Sequence, residues 1–298
     1  MTLSIIIVNW NTKQLLNNCL RSIYENAKKI DFEIIVIDNA SSDNSVKMVK
    51  EQFPQVTLIE NHKNLGFAKA NNQGLKVAKG KYILFLNSDT QVISNAIEIM
   101  VDFMEKNPNI GASGCKLLYP NAKLQHSCRM FPNFCVYLLI TLGIRHLIPN
   151  AKIFRRYLML DWDYNEIREV DQLMGAFIMT SRKVINRIGG FDERFWMYFE
   201  EVDFCYRVKK ANWRIVFNPR AKIIHYLSQS GKQWTRFKKT KEAQISMRKY
   251  FKKHHSWMEA LILRLFSFLG LFVLQLFYWL KCYGWERKKG ELSQYYYS

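Results

Sequence analysis

Short runs of apolar residues recur along the first part of the chain, and each run ends abruptly in polar residues. Residues 3–8, 33–37 and 82–86 have the length and composition of β-strands buried on both faces. Between them, residues 14–27 carry apolar side chains at helical spacing, and residues 45–53 have the pattern of a second short helix. Alternating strands and helices predict parallel strands joined by right-handed crossovers. We therefore predict an α/β protein with an open, twisted, mostly parallel sheet flanked by helices.

Clusters of Asn, Asp and Ser follow all three predicted strands. The clusters are Asn9-Trp10-Asn11, Asp38 to Asp43, and Asn87-Ser88-Asp89. Because ligands bind beyond the carboxyl ends of parallel strands, the three clusters predict a nucleotide pocket at one edge of the sheet. A carboxylate such as that of Asp89 can hold a divalent cation there, and the cation can hold a diphosphate. The alternative for the third cluster is a cap on the next helix.

Several segments resemble family 2 glycosyltransferases with the GT-A fold. The segments of the first half are residues 4–11, 36–43, 64–74 and 86–89. Asn87-Ser88-Asp89 is similar to the Asp-X-Asp metal motif of that family, with Asn in place of the first Asp. The later segments 175–177, 189–193 and 199–207 resemble its acceptor half. The motifs follow the order of the family over about residues 3–228, and the likeness is closest to the bacterial rhamnosyltransferase-like branch.

The resemblance implies a division of the chain and a set of donor contacts. Residues 1–115 would bind the nucleotide sugar, residues 116–230 would form the acceptor half of the same domain, and residues 231–298 would form a basic, membrane-associating helical region. The implied donor-binding residues are Asn9, Asn11, Asp38, Asn64, Asn87 and Ser88. Asp89 is the expected first ligand of Mg²⁺ or Mn²⁺, and the resemblance makes His225 the second. A histidine of the core is the alternative for His225, whereas an imidazole ligand would favour Mn²⁺.

The acidic residues of segment 200–203 are candidates for the general base that deprotonates the acceptor hydroxyl. The family pattern here is Glu-Asp-X-Asp with the second residue as base, which implies that role for Glu201. The chain thus carries Glu where the family carries Asp. Asp203, the other candidate catalytic residue, would orient the site or pair with Arg207 at i,i+4 spacing. Alternatively, these acids only begin a helix and complement its dipole.

The middle of the chain leaves two further alternatives open. Residues 134–160 form either a loop that contacts a lipid-linked acceptor or an ordinary connecting helix. Trp196 and Tyr198 either stack on a sugar or belong to the core.

The basic charge is concentrated in the C-terminal third. The formal net charge of the chain is +19, of which +16 falls in residues 206–298. The largely apolar segment 260–280 lies there, bordered by Trp, Tyr, Lys and Arg, which is typical of a bilayer interface. On a helix, four residues of this segment would lie on one narrow polar stripe: Arg264, Ser267, Gln275 and Tyr278. A stripe favours a helix lying on an anionic membrane surface over one that spans it. A helix packed on protein or in an oligomer is the alternative.

Composition places the protein in the cytoplasm, at the inner face of the bacterial inner membrane. The six Cys residues show no paired spacing, which is typical of reduced core thiols. No signal peptide precedes the first predicted strand. The sequence contains no nucleic-acid-binding motif, which argues against a nucleic acid as the partner of the basic region.

Together these features predict an inverting glycosyltransferase. It would move a sugar from dTDP-rhamnose or a UDP-hexose to a lipid-linked or growing bacterial surface glycan. One alternative is a processive polysaccharide synthase, whose Gln-X-X-Arg-Trp motif is absent because Gln233-Trp234-Thr235-Arg236 has a different order. The other is a nucleotide-sugar-binding protein without catalysis, and the Glu201 departure supports it.

Overall fold

The computed structural model of the protein describes residues 1–227 and 234–267. Its strands are β1 Leu3–Asn9, β2 Phe32–Asp38, β3 Thr57–Glu60, β4 Tyr82–Asn87, β5 Thr90–Val92, β6 Ile110–Leu118, β7 Leu124–Gln125, β8 Cys128–Arg129, β9 Arg168–Glu169, β10 Gln172–Leu173, β11 Phe177–Ser181 and β12 Arg214–His225. Its helices are α1 Lys13–Asn26, α2 Ser45–Gln52, α3 Phe67–Val77, α4 Ala96–Lys106, α5 Phe134–Thr141, α6 Ile144–Leu147, α7 Lys152–Tyr157, α8 Arg182–Ile188, α9 Glu200–Lys210 and α10 Arg236–His254.

A mixed sheet with the order β3-β2-β1-β4-β11-β6-β12-β5 forms the centre of the fold. Strands β3, β2, β1 and β4 are parallel, as the alternating pattern predicts. Strand β11 runs antiparallel between β4 and β6, and β12 then pairs parallel with β6. The antiparallel strand lets the chain return, so that the acceptor-side segments lie beside the donor-side strands.

The predicted strands and helices of the first half are confirmed. Strands β1, β2 and β4 bury nearly every side chain because helices cover both faces of the sheet. The apolar side of α1 is fully buried, including Cys19. Burial raises the pKa of the Cys19 thiol to about 12, so it remains protonated. The described cysteines are all free, and four of them are buried, whereas Cys135 is exposed.

Residues 134–160 contain three short helices, α5, α6 and α7, and are not one continuous loop. The Asn133 side chain caps α5 by accepting a hydrogen bond from the Val136 amide, at 3.0 Å. Val136 and Phe154 form a small core between α5 and α7. This unit packs on α10, where Tyr137 contacts Phe251.

A buried carboxylate joins α9 to α10. Asp203 is fully buried, and its oxygens accept hydrogen bonds from Arg207, Lys253 and His254 at 2.8, 2.5 and 2.6 Å. Burial alone would raise the pKa of Asp203, but the hydrogen bonds and charges of these partners hold it below its ordinary value. The predicted pair with Arg207 is therefore present. Part of the C-terminal basic charge is thus used inside the protein.

Residues 257–267 are helical and expose apolar side chains. Ala260 and Leu263 pack into the cluster around α10, whereas Trp257 and Leu265 are 67% and 62% exposed. The prediction that Ser267 belongs to the polar stripe is wrong. Ser267 is buried, and its hydroxyl donates a hydrogen bond to the Leu263 carbonyl at 2.6 Å. Across the described ranges, no helix combines the length and hydropathy needed to cross a bilayer. The rest of the predicted 260–280 helix lies outside the described residues.

The donor half and the acceptor half meet where Gly66 precedes α3. Gly66 has φ 86°, and a Cβ there would overlap the carbonyl oxygen of Trp196. That same oxygen accepts a hydrogen bond from the Phe67 amide, at 2.8 Å, and so satisfies one donor at the helix start. The close approach of the two loops therefore requires glycine.

We expect Gly66→Ala to destabilise the protein more than Gly189→Ala. Both glycines have a backbone conformation that costs other residues about 1–3 kcal/mol, but Gly189 has open space around it. The additional clash at Gly66 should lower the free energy of unfolding by a further ~1–3 kcal/mol. Chemical denaturation of the two variants measures the difference, and equal losses would show that the contact with Trp196 is not tight.

Candidate active site

A cavity of about 170 Å³ opens at the carboxyl edge of the parallel strands. It lies between the donor half and the loop that precedes α9. The lining residues include Trp10, Asn39, Asn64, Asn87, Ser88, Asp89, Gly175, Trp196, Tyr198, Glu200, Glu201, His225 and Trp234. Three of the predicted donor residues, both predicted metal ligands and the predicted base thus share one cavity.

Asn9 and Asp38 lie behind this cavity rather than in its lining. The Asn9 amide nitrogen donates to the Asp38 carboxylate at 2.9 Å, and the Ser41 amide donates to its other oxygen at 2.8 Å. Thr12 joins the network by donating to the Asn9 oxygen at 2.7 Å, and its hydroxyl lies 2.9 Å from that of Ser88. The strand-end side chains therefore hold one another and fix the floor on which Ser88 lies.

The other predicted donor residues shape the loops around the cavity. The Asn11 oxygen accepts from the Ser42 amide at 2.7 Å, and Asn11 does not line the cavity. Asn64 lines it, and its side-chain oxygen accepts from the Gly66 amide at 2.9 Å. Asn87 is the last residue of β4, and its backbone amide donates a hydrogen bond to the Ala176 carbonyl at 3.1 Å.

Strand pairing brings Asp89 and His225 together. In the β12–β5 pair His225 lies opposite Thr90, and the Tyr226 amide donates to the Asp89 carbonyl at 2.9 Å. The His225 Nε2 atom is consequently 3.2 Å from an Asp89 carboxylate oxygen. The other ring nitrogen, Nδ1, lies 2.7 Å from Gln125 Oε1. With Nδ1–H donating to Gln125, Nε2 presents a lone pair toward the carboxylate.

This arrangement fits a divalent cation. His225 Nε2 is buried and has no hydrogen-bond partner among the described residues, although a carboxylate oxygen lies close to it. Two facing lone pairs are unfavourable unless a positive charge lies between them. No third His, Cys, Asp or Glu joins the pair within the described ranges, so a cation held here would keep positions for oxygens of another molecule.

Two glutamates occupy the opposite side of the cavity, at the start of α9. Tyr198 and Phe199 precede them in the left-handed region, with φ 67° and 68°. Such backbone costs about 1–3 kcal/mol for each non-glycine residue and is concentrated at functional sites. The strained turn directs Glu200 and Glu201 into the cavity. One carboxylate oxygen of each is buried without a hydrogen-bond partner among the described residues.

Burial raises the pKa of both glutamates. For Glu200 burial is the larger cause, and the charge of Glu201 raises its pKa further, well above the ordinary value. For Glu201 burial again raises the pKa, but backbone groups of the helix start and the Arg129 guanidinium oppose the rise. Glu201 therefore ionises before Glu200.

Asp203 lies outside the cavity lining, in the contact between α9 and α10. Its carboxylate accepts hydrogen bonds from the basic side chains of Arg207, Lys253 and His254. We infer that it positions α9 rather than contacting a substrate.

Aromatic side chains close the cavity on the remaining side. Trp234 stacks on Trp196 with ring centroids 5.1 Å apart and meets Trp10 edge-on at 6.4 Å. Lys238 lies over the Trp234 ring, 4.4 Å from its centroid. Trp196 and Tyr198 are only partly buried and line the cavity. Their position favours the ligand-contact alternative over a place in the core.

From the sequence no role was predicted for Gln125 or Trp234, and Glu200 was only one of the acidic candidates for the base. For Glu200 the sequence did contain a signal, namely that Glu200 and Glu201 are adjacent acids at the start of one helix. No signal linked Gln125 to His225, because only the pairing of β6 with β7 and β12 brings them together. Trp234 follows no periodic pattern that points to the cavity.

Comparison with known proteins identifies the family. The sequence model for glycosyl transferase family 2 matches residues 4–160. The chain is 26% identical over 212 residues to an N-acetylglucosaminyl-diphospho-decaprenol L-rhamnosyltransferase of Mycobacterium tuberculosis, covering 66% of this chain and 67% of that protein. It is 28% identical over 233 residues to the rhamnosyltransferase WbbL of Escherichia coli, covering 74% and 82%. These similarities confirm the resemblance to the rhamnosyltransferase-like branch.

Solved structures agree with the fold. The mannosyltransferase PcManGT from Pyrobaculum calidifontis, in complex with GDP-Man and Mn²⁺, aligns with a TM-score of 0.56 at 17% identity, over 98% of this chain and 76% of that one. GalNAc-T7 with UDP, GalNAc and Mn²⁺ aligns with a TM-score of 0.58 at 16% identity, over 75% of this chain but only 43% of that one. With a family match over more than half of its length and the GT-A fold predicted from the sequence, this chain belongs to glycosyl transferase family 2.

Proposed function

We propose that the protein is a metal-dependent, inverting glycosyltransferase that moves rhamnose or a hexose from a nucleoside diphosphate to a lipid-linked saccharide. The observation that carries this proposal is one cavity with two different walls. Asp89 and His225, whose Nε2 has no hydrogen-bond partner among the described residues, form one wall, and Glu201 lies in the other. Transfer of a glycosyl group needs both a site for a leaving diphosphate and a base for the incoming hydroxyl.

The donor side would bind the nucleotide diphosphate through the strand ends. Asn64, Asn87 and Ser88 line the cavity and would donate or accept hydrogen bonds to the sugar nucleotide. Asn9, Asn11 and Asp38 would act mainly by holding these loops, since their side chains hydrogen-bond to one another and to Ser42. Asp89 and His225 would hold Mg²⁺ or Mn²⁺, which when bound stabilises the negative charge of the leaving diphosphate.

Glu201 would accept the proton of the acceptor hydroxyl. It is the better carboxylate of the pair because Arg129 and the start of α9 favour its ionised form. Glu200, whose pKa lies higher, would remain protonated and could donate a hydrogen bond to a sugar oxygen. A single displacement by the activated hydroxyl inverts the anomeric centre. Trp196 and Tyr198 would pack on the sugar and exclude water.

The acceptor proposal comes from the relatives and from the surface of the C-terminal region. The mycobacterial relative is named for a diphospho-decaprenol acceptor. In this chain, residues 257–267 expose Trp257, Leu261 and Leu265 beside the basic helix α10. Apolar and basic side chains on one surface favour peripheral attachment to an anionic membrane. We propose that this surface holds the enzyme at the cytoplasmic face of the membrane that carries its acceptor.

The proposed division is 1–115 for the donor and 116–230 for the acceptor, with 231–298 as the membrane-associating region. The role proposed for residues 231–298 extends beyond membrane association, because α10 is docked through Lys253 and His254 and so also supports the helix α9.

For the metal wall, we expect Asp89→Ala to abolish the Mn²⁺-dependent thermal stabilisation of the protein by nucleotide sugars. Gln125→Leu should weaken Mn²⁺ binding about 10- to 100-fold, because the His225 ring loses the hydrogen bond that orients it. Electron paramagnetic resonance of free Mn²⁺ measures the affinity, and thermal denaturation with a panel of nucleotide sugars measures donor binding.

Gln172→Leu is the matched control, because Gln172 is also buried and hydrogen-bonded but contacts the Met130 carbonyl. An unchanged Mn²⁺ titration in Gln125→Leu would refute the orienting role. If no nucleotide sugar stabilises the unmodified protein, the donor proposal itself is wrong.

For the base, we expect Glu201→Gln to lower turnover about 10²- to 10⁴-fold with little change in donor affinity. Its pKa is raised, so activity should fall with decreasing pH at a value above the ordinary 4.5 of glutamate, as the carboxylate takes up a proton. Glu200→Gln should retain far more activity and the same acidic limb, since Glu201 ionises first. Transfer kinetics across pH, with NMR of the product anomer, provide the test. The assignment fails if the two variants exchange these behaviours.

For the membrane surface, we expect the double change Trp257→Gln and Leu265→Gln to reduce sedimentation with phosphatidylglycerol vesicles. Donor hydrolysis should not change, because both side chains point into solvent and the buried Ala260 and Leu263 contacts remain. Val77→Gln, at an exposed apolar site of α3 away from this surface, is the control and should sediment like the unmodified protein. Equal sedimentation of all three proteins would remove this surface from the proposal.

A further inference from the structure

A second, smaller cavity of about 40 Å³ lies in the acceptor half and is basic. His126, Arg129 and Arg145 line it together with Leu158 and Leu160, and no acidic side chain is among its lining residues in the described part of the chain. It is separate from the donor cavity, with which it shares no lining residue. Nothing in the proposed donor chemistry uses it.

The charges of this cavity are suited to an anion. Arg129 forms no ion pair with a carboxylate of the described residues. Burial lowers the pKa of Arg145, and the charge of Arg129 lowers it further, so the two guanidinium groups repel each other across a partly buried space. His126 Nδ1 is buried and lacks a hydrogen-bond partner within the described ranges. An anion with several oxygens would offset the repulsion and satisfy this nitrogen.

Arg129 connects this cavity to the proposed base. Its charge opposes the burial-driven rise in the pKa of Glu201, which places the guanidinium within electrostatic reach of that carboxyl group. The connection is built by strand pairing, because Arg129 in β8 lies opposite Gln172 in β10, and Gly175 shortly after β10 lines the donor cavity. One molecule could therefore place a hydroxyl at Glu201 and an anionic group beside Arg129.

Apolar side chains line part of the cavity, and others are exposed on the neighbouring short helices. Two leucines line it, and the residues that follow Arg145 in and after α6 are the exposed Leu147 and Ile148, at 63% and 52%. Ile153 at the start of α7 is 38% exposed. A basic cavity lined in part by leucines, with exposed aliphatic side chains on the neighbouring helices α6 and α7, matches a ligand with an anionic head and a hydrocarbon chain.

We propose that this cavity binds the diphosphate of an isoprenoid diphosphate-linked saccharide, the acceptor of the reaction. Arg129 and Arg145 hold the diphosphate, the exposed aliphatic residues of α6 and α7 contact the isoprenoid chain, and the saccharide extends toward Glu201. The proposal rests on the glycosyltransferase function proposed above and specifies the chemical class of its acceptor.

The test is calorimetric titration of the full chain with farnesyl diphosphate in the presence of EDTA, which removes metal-dependent binding at the donor site. We expect Arg145→Gln to weaken binding about 10- to 100-fold, since a charged hydrogen-bonding partner is lost. Arg156→Gln removes the same charge from an exposed position of the neighbouring helix α7 and should bind like the unmodified protein. Asp89→Ala should also bind normally. Arg145→Lys keeps the charge, so its affinity should lie between those of Arg145→Gln and the unmodified protein. Such partial retention of binding would show that the loss in Arg145→Gln is not a folding defect.

Inorganic diphosphate and farnesol serve as the other two ligands. Each should bind at least about 10-fold more weakly than farnesyl diphosphate, because each lacks one of the two proposed contacts. Equal binding of inorganic diphosphate would overturn the lipid assignment, and equal binding by Arg145→Gln would overturn the site. These results are independent of the reaction. If the protein transfers sugar but Arg145→Gln binds farnesyl diphosphate normally, only the role of this cavity is refuted. If binding depends on Arg145 but no nucleotide sugar supports transfer, only the glycosyltransferase mechanism is refuted.

Discussion

The fully buried carboxylate of Asp203 is the interaction on which the acceptor side of the active site depends. A buried charge is stable only when hydrogen bonds and opposite charges replace water, and Asp203 obtains these from Arg207, Lys253 and His254. Arg207 also donates to the Ile188 and Gly190 carbonyls, at 2.7 Å each. The α9 helix is thereby tied to the preceding loop and to α10. Removing one partner from such a group typically costs ~3–5 kcal/mol, so α10 is an integral part of the catalytic body.

The loop before α9 is tied equally firmly to the donor half. The Asn72 side chain donates to the Phe191 carbonyl at 2.8 Å and accepts from the Phe191 amide at 2.9 Å, which imitates a strand pair. The Trp196 carbonyl then receives the first amide of α3. These contacts hold the left-handed turn at Tyr198 and Phe199 in place. The local strain is acceptable because the surrounding hydrogen bonds fix both ends of the turn.

The two walls of the cavity have opposite electrostatic requirements. At Asp89 and His225 a bound cation would offset the two facing lone pairs, whereas at Glu200 and Glu201 burial already favours the protonated acids. Arg129 acts on the second wall without entering the cavity and keeps Glu201 the more easily ionised of the pair. The basic residues of the C-terminal third also divide into two groups. Lys253 pairs with the buried Asp203 and the partly exposed Asp192, while Lys238, Lys241 and Lys252 remain at the surface.

The sequence by itself determined the parallel donor half and the residues at its strand ends. Continuous apolar runs such as that of β4 can only be buried on both faces, and local polar clusters then necessarily meet at one edge. Only the tertiary structure decided which partners those residues have. His225 acquires Gln125, and Asp203 acquires Lys253 and His254, from segments far away in the chain. Strand register and helix docking select these partners, and both depend on packing between distant segments, which no local pattern of residues encodes.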